Sequence, residues 1–278
     1  MKRGLKHYLV LGLTALALYA LYVLIVLIWQ QPVPLLLLAY AVIVVVFCFI
    51  NRTSIRAVRG NYAYVTGNYE RARRLLKRVT AAGTKSPTAY IYYSLLLLRE
   101  DKNYTEALMW LEKAGPHCNN ALYERNMLTA MASCHWLGGN HAAAIKILED
   151  MRAQHEYTNA AALTTLGYMY LSTGSFDKAE EATQLAIKDN EAYGAAWDNL
   201  GQISYIKGDM EAAKEYFKAA LSKTENLADA NYHLGLIHEA EGDKDAAKDY
   251  FRRAAACTIG LFNTVTEEQA QAKYNEYY

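Results

Sequence analysis

The feature that most constrains this chain is a turn that recurs at nearly even spacing. Gly67-Asn68, Lys102-Asn103, Gly139-Asn140, Gly174-Ser175, Gly208-Asp209 and Gly242-Asp243 lie 35, 37, 35, 34 and 34 residues apart. The second residue of each pair is Asn, Ser or Asp, whose short side chain accepts hydrogen bonds from the free amides of a helix start. Four residues further on stands an alanine each time: Ala72, Ala107, Ala144, Ala179, Ala213 and Ala247. A small residue at a fixed place lets two helices approach closely. A period of this length belongs to arrays of helix pairs, in which each unit buries its apolar face only by stacking on its neighbours. The expected fold is therefore all-α, an α-solenoid.

Working outward from the turns gives six units: 53–86, 88–121, 125–158, 160–193, 194–227 and 228–261. Their seventh and eighth positions read Leu166-Gly167, Leu200-Gly201 and Leu234-Gly235 in the last three. Position 24 holds Leu76, Leu111, Leu148, Phe217 and Phe251, with Thr183 in the fourth unit, and position 27 holds Ala114, Ala186, Ala220 and Ala254. Trp197 stands at position 4 of the fifth unit. This pattern resembles the tetratricopeptide repeat family over about 53–261. Units 1 and 2 depart from it. Arg56 and Arg59 stand where apolar residues are expected, Lys102 replaces the turn glycine, and Leu95 replaces the small residue at position 8.

The resemblance implies a protein-binding scaffold whose first helices line a concave groove. Carried onto this chain, the family's groove positions fall on Tyr64, Tyr92, Leu96, Trp136, Leu137, Tyr168, Leu171, Asp198, Gln202, Tyr205, Ile206, Tyr232, Leu236 and Glu239. The lining is aromatic and aliphatic, the composition of binding hot spots. No Lys or Arg occupies position 5, so a clamp for a C-terminal carboxylate is not expected. The expected partner is instead an extended or helical apolar segment of a protein. The alternative for each aromatic is packing against the neighbouring repeat.

Ahead of the array the sequence changes character. After Lys2, Arg3 and Lys6, the stretch 8–29 carries no charge, and after Gln30-Gln31-Pro32-Val33-Pro34 a second uncharged stretch runs to Ile50. Their composition and length suggest two transmembrane helices, about 8–29 and 34–51, forming a hairpin anchor over 1–52. The rival readings are a cleaved signal peptide and a buried hairpin of a soluble domain. The net charge of +1 hides an asymmetry. Residues 1–99 hold thirteen Lys or Arg and one acid, whereas 100–278 hold sixteen Lys or Arg and twenty-seven acids. Basic flanks and a neutral connection put both termini and the array in the cytoplasm; compactness and the lack of targeting features favour a bacterial plasma membrane, with an organellar one as the alternative. Arg52, Arg56, Arg59, Arg71, Arg73, Arg74, Lys77 and Arg78 are the candidate contacts to an anionic bilayer surface. The acidic remainder speaks against nucleic acid as a partner.

Beyond the sixth unit, Phe262–Tyr278 reads as an amphipathic capping helix, with Thr266 and Gln269 as a capping box. A role as a binding peptide is the alternative. No Ser/His/Asp or Cys/His arrangement, Gly-rich phosphate loop or metal-ligand spacing stands out. His135 and His238 share register position 11 and read as core histidines. The expected function is that of a non-enzymatic scaffold without cofactor, metal or small-molecule substrate. The alternative is a regulatory or adaptor subunit of a membrane or envelope enzyme.

Overall fold

The structure, a computed structural model, describes residues 12, 14–24, 33–154 and 158–277. The chain divides into two compact units, Met1–Ile55 and Arg56–Tyr278. The described residues are helical throughout, with no strand among them.

In the first unit, α1 (Thr14–Leu24) and α2 (Val33–Ile50) fall within the two uncharged stretches. The remainder of the expected 8–29 span lies outside the described residues. Among the described residues no single helix is long and apolar enough to cross a membrane, so the expected transmembrane hairpin is not supported. The side chains from Leu37 to Ile50 of α2 stand exposed: Leu38 is 63%, Val45 66% and Phe49 64% accessible. Between α1 and α2 lies an apolar cleft lined by Leu16, Tyr19, Tyr40, Val44 and Phe47, among others.

The second unit is built from helix pairs: α3 (Arg52–Val65, which begins in the first unit) with α4 (Tyr69–Ala81), α5 (Pro87–Leu96) with α6 (Tyr104–Ala114), and α7 (Ala121–Leu137) with α8 (His141–Ala153). They continue as α9 (Ala160–Ser172) with α10 (Phe176–Asp189), α11 (Gly194–Lys207) with α12 (Met210–Lys223), and α13 (Ala228–Ala240) with α14 (Lys244–Ala256). A last helix, α15 (Glu267–Tyr277), packs on α14. First helices of successive pairs touch one another, α5 with α7, α9 with α11 and α11 with α13.

The turns obey the expected chemistry. Gly67, Gly139, Gly174, Gly208 and Gly242 all have φ between 75° and 83°, a region open to glycine at no steric cost. Lys102 takes the same role at φ 49°, following a π-helical stretch, Leu97–Asp101, that widens the end of α5. Asn68, Asn103, Asn140, Asp209 and Asp243 each cap the following helix through their side-chain oxygen; Ser175 makes no such bond. The six alanines of the turn motif are fully buried. The small residue at position 8 has a specific partner sixteen residues on. A Cβ at Gly201 would stand 2.5 Å from the Phe217 ring, one at Gly235 2.6 Å from Phe251, and one at Gly167 2.4 Å from the Thr183 hydroxyl. Repeats are also tied edge to edge by ion pairs such as Arg73–Asp101 (2.7 Å) and Lys207–Glu180 (2.8 Å), each worth at most about 1 kcal/mol at the surface.

Two expectations about side chains change here. His135 and His238 are half-buried rather than core; His238 stacks on Tyr250 at 5.4 Å. The end of the chain is helical only from Glu267. Phe262–Thr266, expected in the same helix, is irregular; its Thr264 and Val265 amides are bonded to Asp229 instead of to preceding carbonyls, and the Thr266 amide to Gln269.

Candidate partner-binding groove

The site begins with two carboxylates buried on the first helices of units 5 and 6. Asp198 lies in the second turn of α11 and Asp229 in the first turn of α13; they are 6% and 2% exposed. Gln202, one turn beyond Asp198 and 3% exposed, bridges them. Its Nε2 donates to Asp198 Oδ2 at 2.8 Å and to Asp229 Oδ2 at 3.3 Å. Burial pushes the Asp198 carboxyl well above the usual carboxylate range, and the neighbouring Asp229 adds to the effect; the Gln202 amide opposes it. Asp198 Oδ1 is buried without a hydrogen-bond partner. Asp229 is better satisfied, because it grips two successive amides, Thr264 N–H at 3.0 Å and Val265 N–H at 2.9 Å. The Thr264 hydroxyl donates to Gln202 Oε1 at 3.1 Å.

The sign of the Asp198 effect can be worked out. A carboxyl raised in the folded state favours folding least where it must ionise. Stability is lost as pH rises from the unfolded carboxylate value, about 4, through the folded value. Asp198→Asn removes this penalty. It is expected to raise stability at pH 7 by about 1–3 kcal/mol and to leave it unchanged below about pH 4. Denaturant melts at both pH values check this.

Around the acids the inner face is aromatic. Tyr205 meets His233 edge-on at 5.0 Å, and His233 stacks on Phe217 at 5.3 Å. Burial holds the His233 imidazole below its usual value, against a hydrogen bond at 2.8 Å with the Asp229 carbonyl oxygen. Toward the start of the array, Trp136 stacks on His141 at 4.1 Å and meets Tyr168 at 6.1 Å. Tyr64 and Tyr92 stack at 4.4 Å, and burial, with help from Tyr69 and Tyr92, pushes the Tyr64 phenol up to about 12.

The fourteen expected groove residues divide by accessibility. Ile206 is exposed, at 55%. Tyr64, Tyr92, Leu137, Tyr168, Tyr205, Tyr232, Leu236 and Glu239 are half-buried. Leu96, Trp136, Leu171, Asp198 and Gln202 are buried, so direct contact with an incoming partner is not open to them in this state. Leu96 belongs to the core of the first units, where the π-helical end of α5 changes the register of the lining. Glu239 is engaged by the last helix. Burial works against its charge, but hydrogen bonds from Tyr277 and Lys273 hold its carboxyl below the usual range.

The basic residues divide likewise. Arg56 and Arg59 on α3, and Arg71, Arg74, Lys77 and Arg78 on α4, are exposed. Arg73 is taken up by both carboxylate oxygens of Asp101, at 2.8 and 2.7 Å. Arg52, in the first unit, lies over the Phe49 ring at 4.6 Å.

Sequence reasoning missed Asp229, His233 and the segment after α14. An acid in the first turn of a helix reads as a favourable helix start, and only tertiary contacts reveal that this one serves a distant segment. The signal in the last segment was its apolar pair, Leu261-Phe262, ahead of a polar capping box.

Comparison with known proteins agrees with this architecture. A family model described as "Tetratricopeptide repeat" matches residues 58–121, 129–196, 164–228 and 200–260. No curated protein sequence matches significantly. Among solved structures the chain is similar to PilW, a type IV pilus biogenesis factor, at TM-score 0.58 and 18% identity, covering 79% of this chain and 97% of that one. It is similar to pilF of Pseudomonas aeruginosa at TM-score 0.55 and 15% identity, covering 81% and 96%. It is also similar to IFIT1, solved with m7Gppp-AAAA, at TM-score 0.62 and 16% identity, covering 81% of this chain and 54% of that one. Identities this low speak for the fold alone. With the matched segments running from residue 58 to residue 260, the chain belongs to the tetratricopeptide repeat family.

Proposed function

We propose that this chain is a non-catalytic scaffold that holds an apolar segment of a partner protein on the inner face of its repeats. The observation that carries the reading is the accessible apolar lining of units 5 and 6: Tyr205, Ile206, Tyr232 and Leu236. These side chains stand on two neighbouring first helices, α11 and α13. Aromatic and aliphatic groups of this kind give contact area at low entropy cost. Nucleic acid is the weaker occupant. Residues 100–278 carry sixteen basic and twenty-seven acidic side chains, an acidic excess that would repel phosphate.

The apolar N-terminal unit serves, in this reading, as a bilayer anchor. Support comes from α2, eighteen residues with no charged side chain, whose described side chains from Leu37 to Ile50 are all exposed. Leaving such a helix in water costs roughly 25 cal/mol for each Å² of apolar surface. Lys2, Arg3 and Lys6 precede the apolar stretches, and Arg52, Arg56 and Arg59 follow them, so both ends face the cytoplasm by the positive-inside rule. The exposed cations of α4 add attraction to an anionic leaflet, on the order of 1 kcal/mol each near the surface.

The test combines two charge insertions that avoid the core, Ile206→Asp and Leu236→Asp. Partner recovery after detergent solubilisation and affinity capture is expected to fall at least tenfold. The thermal transition should move little, because the two side chains are exposed and half-buried. Full recovery from the doubly substituted chain would refute the groove. Carbonate extraction tests the anchor independently: retention in the membrane pellet is expected, and release would refute it.

A further inference from the structure

A capping helix needs to touch only the last repeat, yet the segment between α14 and α15 does far more. Leu261 packs against the cluster formed by the first units, which includes Ile91, Ala130 and Cys134. Phe262 meets Tyr168 of α9 edge-on at 5.4 Å. Thr264 and Val265 are held by Asp229 of α13, and the Thr264 hydroxyl by Gln202 of α11. The chain therefore crosses the inner faces of three successive first helices before turning into α15. Gly260 N–H donates to Asn263 Oδ1 at 2.6 Å, which sets the turn that presents Leu261 and Phe262. The Glu268 carboxyl is held below the usual range first by its own backbone N–H and the Thr266 hydroxyl, with Lys102 of the second unit contributing.

We propose that Leu261–Val265 is a built-in occupant of the groove, and that the external ligand is a non-helical protein segment of the same chemistry which displaces it. This inference rests on the groove reading above. The chemistry is specific. Asp229 and Gln202 recognise two consecutive backbone amides and a hydroxyl, so they select a bent segment with both amides free of helical bonds and Ser or Thr at one place. Tyr168 receives an aromatic ring two residues earlier, and the first-unit cluster a bulky aliphatic residue before that. The motif is thus aliphatic, aromatic, any residue, Ser or Thr, aliphatic. A tethered strap competes at an effective concentration of about millimolar. The free ligand's apparent affinity falls by the fraction of time the groove stands open.

The experiment uses the full chain in detergent and a fluorescent peptide spanning Ile259–Thr266. Two variants release the strap by different means. Leu261→Ala with Phe262→Ala removes the side chains, and Thr264→Pro removes an amide that Asp229 holds. Thermal melts confirm that the array remains folded in each. The peptide is expected to bind both variants at least tenfold more tightly than the unaltered chain. Amides of Thr264 and Val265 are expected to be protected from exchange in the unaltered chain and to lose that protection in both variants. Equal peptide affinity in all three chains would overturn the proposal, as would unprotected amides in the unaltered chain. Strap exchange confined to a dimer, read by light scattering, would assign the groove to a second copy and also overturn it. If the peptide binds none of the chains while Ile206→Asp with Leu236→Asp still abolishes partner capture, the strap proposal fails and the groove reading stands. If neither effect is seen, both fail.

Discussion

Phe217→Ala is expected to cost about 3–5 kcal/mol of folding stability. Phe217 is fully buried, and its ring fills the space left by the missing Cβ of Gly201. The pairing makes the prediction sharper than a burial argument alone. Gly201→Ala is expected to cost about 1–3 kcal/mol through overpacking, because the new Cβ would meet the ring at 2.5 Å. Combined with Phe217→Leu, the same alanine should cost less than in the parent chain, since a smaller side chain vacates the contested space. Denaturant melts of the four chains measure this coupling. Additive losses would show that the two residues do not share one space. Destabilisation should be read from the transition of the central repeats, because each repeat leans only on its neighbours.

Asp229→Ala is expected to release the strap rather than unfold the array. Removing the carboxylate deprives Thr264 N–H and Val265 N–H of their acceptor, and Gln202 Nε2 of the weaker of its two. A buried donor left unpaired costs about 1–3 kcal/mol. The two amides can escape this by moving into water, so the loss is capped at the docking free energy of the strap. Exchange of those two amides should rise on the order of 100-fold, corresponding to about 2.8 kcal/mol at 1.4 kcal/mol for each tenfold. Amides in the interior of α12 should be unaffected. A global rise in exchange would instead assign Asp229 to the stability of the whole array. Asp198→Asn, which acts on the other acid of the pair, is expected to do the opposite at neutral pH.

What could be read in the sequence was local. The turn glycines, the Asn and Asp caps and the buried alanines each act within one turn of backbone, and each stands where its spacing puts it. The glycine of position 8 and its partner sixteen residues on, Phe217 or Phe251, follow from the same register. Lys102 shows where local rules bend, because a non-glycine holds the left-handed turn after a π-helical stretch and the lining at Leu96 shifts into the core. The strap was not legible for a physical reason. Cys257–Thr266 has no helical period, and its order comes from residues on α9, α11 and α13 that lie far away in sequence. Trp136 was legible as an aromatic of the lining but not as a side chain already covered by His141 and Tyr168.

The central claim is that the inner face, and not the outer one, meets a partner protein. Site-specific photo-crosslinking in intact cells tests it most directly, with the photoreactive residue placed either at Tyr205 on α11 or at the exposed Lys218 on α12. The account predicts one dominant protein adduct from position 205 that is absent from position 218. Adducts of the same proteins in the same yield from both positions, or none from position 205, would contradict it.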